Sequence, residues 1–422
     1  MKRMGTAIIG CGTVAAFYCN SIRRHPILHF VGVTDQAPER ASRYASYFSV
    51  RKYETFEDVL NDSEVELVIN LTNPRSHFAI SKAALEAGKH VYSEKPLGMS
   101  FDEAQELVRL AAKKRLVIAS APSRILAETA QTMWKAVREN AIGQIHAVYA
   151  EMDGGLVFRT RFKEWKNELG IPWPYESEFS AGCTLEHAGY SVSWLSAFFG
   201  PVDSVTTFAT RQVMDMGCDI DSDVMPPDLT VACLKFKSGV VARLTSSWIA
   251  PSDHSLRIFG DTGVLSTNDI WRPKCPVYIT RNKSLKIGPK TITFPRKEKY
   301  PLAKAPNSAS AGNGTFLSLG AMIKSAKSRL HHLRKRVDFC IGPVEVANSI
   351  REERPCRLSP EYCLHNTEIV LAINNSSPNG TNHKVATTFN PMEPMPWCSE
   401  ASNELRAHHI SEKRGILHPQ NA

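Results

Sequence analysis

The sequence predicts an α/β chain in two parts: a doubly wound parallel sheet, then an α+β domain built on an open, mostly antiparallel sheet. Three observations predict it. The apolar run Thr6-Ala7-Ile8-Ile9 enters a G-x-G-x-x-A turn at Gly10, Gly12 and Ala15, the join of a buried strand to a helix. Short apolar strands then alternate with helical patterns to about residue 120, as parallel strands joined by crossovers require. From about residue 145 the strands lengthen and meet at turns such as Lys237-Ser238-Gly239 and Asp261-Thr262-Gly263.

Taken in order, Ala7–Gly10 reads as the first strand, Val14–Arg24 as a helix, Phe30–Thr34 as a strand and Pro38–Phe48 as a helix. Val65–Leu71 is a buried strand, Ser76–Ala87 a helix, His90–Ser93 a short strand, Phe101–Lys113 a helix and Leu116–Ala119 a buried strand. In the second half, Gln144–Met152, Val202–Phe208, Leu229–Lys235, Val240–Trp248, Ser255–Gly260 and Gly263–Ser266 read as strands. Helices fall at Thr184–Phe199 and, just after Pro360, at Glu361–Ala372. Polar, proline-containing Lys283 to Asn313 reads as a loop, and the stretch after Ser377 as a tail that wraps the surface or hangs loose. The expected boundaries are 1–122, 123–382 and a tail at 383–422, with a helix from 345–375 packing back on the first domain.

Composition narrows the class. A chain of 422 residues has room for two domains and a large core. Its net charge of +9 suits anionic small molecules as well as nucleic acid, but the densest basic stretch, Lys324 to Arg336, has no interleaved aromatics and reads as a solvated helix face. No nucleic-acid partner is therefore expected. Ten cysteines without a C-x-x-C pair make neither a disulfide framework nor a zinc site, so no metal is expected and a reducing compartment, the cytoplasm, fits. The N-terminus runs into the first strand without room for a signal peptide, and no apolar run approaches a membrane span. Asn70-Leu71-Thr72 matches a glycosylation acceptor by chance, since it ends a buried strand.

The glycine turn carries chemistry. Gly12 lets backbone approach a pyrophosphate, small Ala15 lets the helix pack close, and that helix aims its N–H groups at phosphate. Asp35, ending the second strand, suits the hydroxyls of an adenine ribose and repels a 2′-phosphate, which favours NAD. Gln36, Ala37 and Pro38 follow without an arginine, yet Arg40 lies a helical turn on and can reach a phosphate, so NADP stays open.

Tyr92-Ser93-Glu94-Lys95-Pro96-Leu97 follows the strand ending near Val91, and with the upstream glycine turn it resembles the Gfo/Idh/MocA oxidoreductase family, whose signature is the E-K-P triplet. Leu71-Thr72-Asn73-Pro74 with His77 resembles that family's loop beside the nicotinamide ribose. Glu86 to Val91, Ser180-Ala181-Gly182, Gly260 to Gly263, Val337-Asp338-Phe339 and His365 to Glu368 extend the likeness over about residues 4 to 375. The resemblance implies a Rossmann domain, a substrate and oligomerisation domain, and a homo-dimer or homo-tetramer. It implies cofactor contacts from Gly10, Gly12, Thr13, Val14, Asp35, Thr72, Asn73, His77, Glu94 and Lys95.

Lysine at the carboxyl end of a Rossmann strand can stabilise an alkoxide and, with its pKa lowered by a neighbour, exchange a proton. Lys95 is the candidate, with Glu94 to orient it and Pro96, whose preceding bond is often cis in the family, to stiffen the turn. The family's second motif has an aspartate and, four residues later, a histidine on one helix face. Aligned by Phe198-Phe199-Gly200-Pro201, Glu186 falls at the aspartate and Tyr190 at the histidine position, while His187 should face elsewhere. Tyr190 is then a proton donor and Glu186 the partner of Lys95, or they are respectively a packing tyrosine and a structural ion pair. The loop carrying Arg159, Arg161, Lys163, Trp165, Trp173 and Tyr175 can line the substrate cleft or act as a dimer arm; Trp173 and His187 join Lys95, Glu186 and Tyr190 as expected substrate contacts. His254 reads as a surface residue. Asp219, Asp221 and Asp223 resemble a calcium loop, but Val224 and Thr230 stand where its glycine and glutamate belong.

The resulting expectation is an NAD(P)-dependent oxidoreductase exchanging hydride with a hydroxyl or ketone of a sugar, cyclitol or related polyol. The alternatives are a redox-neutral NAD-dependent glycoside hydrolase and a non-enzymatic dinucleotide-sensing regulator of the same fold.

Overall fold

The computed structural model describes residues 2–218, 225–287, 290–305 and 337–398. Strands β1 (Met4–Ile9), β2 (Leu28–Thr34), β3 (Arg51–Lys52), β4 (Leu67–Asn70), β5 (His90–Ser93) and β6 (Ile118–Ser120) form a parallel sheet in the order β3-β2-β1-β4-β5-β6. Helices α1 (Ala15–Ile22), α2 (Pro38–Phe48), α3 (Phe56–Asn61), α4 (His77–Glu86) and α5 (Phe101–Lys114) make the crossovers. β1 and β4 are buried at every position, as strands covered on both faces must be. Ala41, Tyr44, Ala45 and Phe48 give α2 an apolar stripe at helical spacing. α5 starts at a capping box, where Ser100 accepts the Glu103 N–H and Glu103 reaches back, and ends at Arg115 in the left-handed region after Lys113 and Lys114.

Register places the chemistry. Ile9 lies opposite both Thr34 and Asn70, and Asn70 opposite Ser93. The strands therefore end in line, and Gly10, Asp35, Thr72 and Glu94 emerge along one edge. Strand order reverses between β1 and β4, and the crevice at such a switch point is where doubly wound sheets hold ligands.

After α6 (Glu128–Arg138) the second sheet begins with β7 (Ile145–Asp153), followed by α7 (Tyr175–Cys183), a π turn (Thr184–Ala188) and α8 (Gly189–Phe199). Then come β8 (Val202–Thr210), β9 (Leu229–Phe236), β10 (Val241–Ser247), β11 (Leu256–Gly260), β12 (Gly263–Thr267), β13 (Val277–Ile287) and β14 (Lys290–Tyr300). α9 (Ile341–Arg351), α10 (Pro360–Asn374) and β15 (Thr381–Lys384) complete the described chain. The order is β14-β13-β12-β11-β7-β10-β9-β8-β15, antiparallel except for β7 beside β10. Val148, Ala150, Met152, Leu234 and Leu244 alternate inward, each large one contributing about 1.5–3 kcal/mol by burial. α10 is buried on nearly every side because it packs against α5 and β6 of one sheet and against α8 and β8 of the other. α9 packs on β5 and β6.

Several expectations change. Residues 283–287 and 290–300 belong to the β13–β14 ribbon, not to a loop; its far end is exposed on both faces, so polar residues such as Thr291 and Thr293 alternate there without a buried side to mark them. Residues 288–289 and 306–313 of that stretch, residues 219–224 with the calcium-like aspartates, the basic stretch Lys324 to Arg336 and the tail from 399 lie outside the described residues. The segment after Ser377 adds β15 to β8 and buries Val385, Phe389, Met392 and Cys398. β3, α3, α6 and α7 had no counterpart in the sequence reading, and the helix expected over 345–375 is two helices, α9 and α10. Asn70 is buried, donating to the His77 carbonyl and Ser81 Oγ. None of the ten cysteines forms a disulfide, and no helix among the described residues is long and apolar enough to cross a membrane.

Candidate active site

The carboxyl ends of β1, β2, β4 and β5 open into a cleft of about 1120 Å³ whose opposite wall is α7, the π turn and the start of α8. Gly10 has φ +96°, and a Cβ there would lie 2.7 Å from the Leu71 carbonyl. Only glycine lets the turn after β1 lie against the turn after β4. At Gly12 a Cβ would meet nothing within 4 Å, because that position faces the open cleft. The amides of Gly12, Thr13 and Val14 donate to no group among the described residues. Open donors at a helix start, beside a position with no side chain, fit the diphosphate of a dinucleotide.

Other residues here are already engaged. Thr13 Oγ1 donates to the Pro172 carbonyl at 2.8 Å. Asp35 accepts the Cys11 N–H at 2.6 Å and the Ala37 N–H at 2.8 Å, while still lining the cleft together with Arg40. Val14, Thr72 and Asn73 also line it. His77 is buried, with Nδ1 2.8 Å from the Pro96 carbonyl and Nε2 3.1 Å from the Thr72 carbonyl. Its ring nitrogens face carbonyls of the loops after β4 and β5, of which a neutral imidazole donates to one, and the residue still lines the cleft. Burial pushes its pKa down.

Beyond β5, the Lys95-Pro96 bond is cis. Glu94 fastens the turn, accepting the Tyr18 hydroxyl at 2.7 Å and the Lys95 N–H at 3.1 Å. Lys95 crosses the cleft, and its Nζ donates to Glu186 Oε2 at 2.5 Å. Burial opposes the Lys95 charge, but Glu186 and then Glu178 outweigh it and hold the ammonium above its ordinary pKa. The expectation of a lowered lysine pKa is thus corrected: the neighbours are carboxylates, which favour the charged form. Burial would raise Glu186; Lys95 overrides it and holds this carboxyl low. Glu178 is raised well above its ordinary range by burial and then by the charge of Glu186.

Tyr190 lines the cleft one turn after Glu186, its ring edge against Trp271 at 5.5 Å between centroids. Burial and then Glu94 push the phenol up to about 12, with Lys95 pulling the other way. Its hydroxyl has no hydrogen-bond partner among the described residues. His187 also lines the cleft, because the π turn spreads side chains that a regular helix would send to another face. Its Nδ1 is buried without a partner, and burial lowers its pKa to about 3. Trp173 does not line the cleft. It packs against Trp165, Phe162 and Phe179, and the aromatic loop is largely a small core of its own. His254 is buried against Trp271, 4.1 Å between centroids, rather than on the surface.

Glu178 and Trp271 line the cleft without having been singled out in the sequence. Gly182, with φ +84° and Pro226 pressed against it, kinks the chain between α7 and the π turn. Helical spacing therefore cannot relate Glu178 to Glu186. Trp271 arrives from beyond β12 and has no local signal.

The N-terminal part matches a family model described as "Oxidoreductase family, NAD-binding Rossmann fold" over residues 4–121, and the following part matches the "GFO/IDH/MocA C-terminal domain" over 130–266. Among curated proteins, the chain is 32% identical over 119 residues to UDP-N-acetylglucosamine 3-dehydrogenase of Acidithiobacillus ferrooxidans, covering 28% of this chain and 37% of that one. It is 24% identical over 244 residues to trans-1,2-dihydrobenzene-1,2-diol dehydrogenase of Mus musculus, covering 58% and 67%. The chain spans about half or less of the length of several curated relatives it matches. The solved structure of the A. ferrooxidans enzyme superimposes with TM-score 0.64 at 19% identity, covering 89% of this chain and 97% of that one. A 3-ketoreductase from Actinomadura kijaniata, in complex with TDP-benzene and NADP, gives 0.62 at 18% identity, covering 89% and 98%; it was also solved with a lysine replaced by alanine and with a tyrosine replaced by phenylalanine. These structural likenesses show the fold.

Proposed function

The chain belongs to the Gfo/Idh/MocA oxidoreductase family, with its NAD-binding Rossmann domain, and from that premise we propose that it interconverts a hydroxyl and a ketone on a sugar, cyclitol or related polyol. The observation that carries this reading is the Lys95–Glu186 ion pair beside the unpartnered Tyr190 hydroxyl, in the same cleft as the open glycine turn. The bound dinucleotide supplies or accepts the hydride. Tyr190 hands its phenolic proton to the substrate oxygen, and the Lys95 ammonium stabilises the charge that develops there. Glu186 aims that ammonium.

The wall around Lys95 supports a neutral polyhydroxy substrate. Glu94, Glu176 and Glu186 line the cleft, accept hydrogen bonds from hydroxyls and repel an anion at the reacting end. Asp35 supports NAD, and Arg40 at the same end keeps NADP within reach. The open face of the second sheet exposes Tyr149, Phe208 and Val241, which supports a homo-oligomer, and ten cysteines without a disulfide support a reducing compartment such as the cytoplasm.

The test is direct. NAD or NADP should raise the melting temperature in a concentration-dependent way, and the same protein should turn over a member of a polyol and keto-sugar panel. Product without accumulation of reduced cofactor would point to redox-neutral cleavage, and binding without turnover to a regulator.

A further inference from the structure

A neutral imidazole donates from one nitrogen and accepts at the other. At His187 the fold seals one of the two. The ring lies against Gly154, just past β7, where a Cβ would stand 2.8 Å from its Cε1 and 3.3 Å from its Nδ1, and Trp248 packs on the same side. Nδ1 is buried there without a partner, whereas Nε2 is not sealed and has no partner among the described residues. A stranded N–H is rarer in protein interiors than a stranded acceptor, so the proton belongs on Nε2. A second proton, on Nδ1, would strand the same N–H, which keeps the ring uncharged. The depressed pKa of His187 agrees with this geometry. His187 lines the cleft with Tyr190, and both rings meet Trp271, at 5.2 and 5.5 Å between centroids. His254 backs that indole at 4.1 Å. An imidazole N–H and a phenol O–H are thus offered beside one indole, next to the Lys95–Glu186 pair.

We propose that His187 selects the substrate by a second oxygen: its Nε2–H donates to the hydroxyl on the carbon next to the one that reacts, while Tyr190 and Lys95 serve the reacting oxygen. This rests on the oxidoreductase reading of the same cleft and narrows its substrates to vicinal diols and α-hydroxyketones. His187 adjoins Glu186 in the chain and shares Trp271 with Tyr190, so its donor serves a neighbouring oxygen of the same molecule. A hydroxyl suits that place on both counts. It accepts from the imidazole and gives its own hydrogen bond to a carboxylate, and Glu94, Glu176 and Glu186 line the same cleft. A hydrogen atom in its place leaves Nε2–H unpaired, and an ammonium has no lone pair to offer it. His187 transfers no proton and takes no part in the hydride step; it fixes which carbon reacts.

The experiment uses the full chain with dinucleotide and a minimal pair of probes, trans vicinal cyclohexanediol and cyclohexanol. The wild-type protein should oxidise the diol with kcat/KM at least about tenfold above that of cyclohexanol. His187→Phe keeps an aromatic ring against Gly154 and Trp271 but has no donor. It should lose about tenfold on the diol, in KM rather than kcat, and nothing on cyclohexanol. His187→Gln, which carries an amide N–H, should keep most of the selectivity. A merely structural role would lower both probes alike. Heteronuclear NMR of the imidazole rings reads the tautomer without turnover. The His187 signal, identified by its loss in His187→Phe, should be that of a neutral ring protonated at Nε2. No preference for the diol in a protein that oxidises polyols, equal loss on both probes, or a ring protonated at Nδ1 each overturns the proposal. The expected tautomer in a protein that binds dinucleotide but turns over neither probe nor any member of the polyol and keto-sugar panel overturns the oxidoreductase reading instead, and the selection with it.

Discussion

The two walls of the cleft are built by opposite means. The dinucleotide wall is mostly backbone: the Gly10 turn against the Leu71 carbonyl, open amides at Gly12 to Val14, and Asp35 held by two N–H groups. The substrate wall is side chain: Lys95 from one sheet reaches Glu186 on the other half, with Glu178, Tyr190, His187 and Trp271 around them. A backbone site is set by a few consecutive residues. A side-chain site needs the whole fold to be assembled first.

The hardest blow to this contrast falls at Lys95. Lys95→Ala should lower kcat/KM by about a thousandfold or more and leave dinucleotide affinity intact. It also leaves Glu186 without its cation in a site where both are largely buried, which costs about 3–5 kcal/mol. The double variant Lys95→Met with Glu186→Gln should recover that stability without recovering turnover. Undiminished activity in a folded Lys95→Ala protein would dissolve the distinction between the walls.

Tyr190→Phe removes one hydroxyl that has no partner to strand, so the fold should be unmoved. Turnover should fall about 100-fold, read in kcat rather than KM. A change of less than twofold would return Tyr190 to a packing role against Trp271.

On the other wall, Gly12→Ala adds a Cβ that meets no protein atom. Stability should stay within about 0.5 kcal/mol of wild type, while dinucleotide affinity should weaken about tenfold, or ~1.4 kcal/mol. Gly10→Ala is its structural counterpart, because its Cβ would strike the Leu71 backbone in the left-handed region; melting temperature should drop there. Calorimetric titration and thermal melts on the two variants separate a binding glycine from a folding glycine.

Legibility in the sequence follows the same division. The strand–turn–helix order around Gly10 to Ala15 and the end of β2 at Asp35 are local, so the parallel sheet and its ligand edge could be read directly. Glu94-Lys95-Pro96 was readable as a motif, but the raised pKa of Lys95 depends on Glu178 and Glu186, which approach from the other half of the chain. Glu178 was invisible because the kink at Gly182 breaks helical phase, and Trp173 was misplaced because its partners Phe162, Trp165 and Phe179 satisfy it within its own loop. The far end of the β13–β14 ribbon was missed for want of a buried face, the feature that distinguishes a strand from a polar loop there.

The smallest effect tests whether the substrate wall carries a cost of its own. His187 is held neutral, first by burial and then by Lys95 and His254, with Glu186 opposing, so that its pKa falls to about 3. In the unfolded chain it protonates near the ordinary 6.5. Between those values the unfolded state binds the extra proton. Stability from this group is thus complete above about pH 6.5 and is lost as pH falls towards 3, by at most about 1.4 kcal/mol per pH unit. The low pKa of Glu186 adds a loss of the same sign at the acid end. His365, lowered to about 4, contributes a similar slope elsewhere in the fold, so replacing His187 should flatten the melting curve against pH without levelling it. His187→Phe melted between pH 7 and pH 4 should lose less stability than wild type, and Gly12→Ala should track wild type throughout. Parallel curves for His187→Phe and wild type would mean that this ring takes up protons as freely in the folded chain as in the unfolded one, and that the substrate wall is no more costly to assemble than its backbone counterpart.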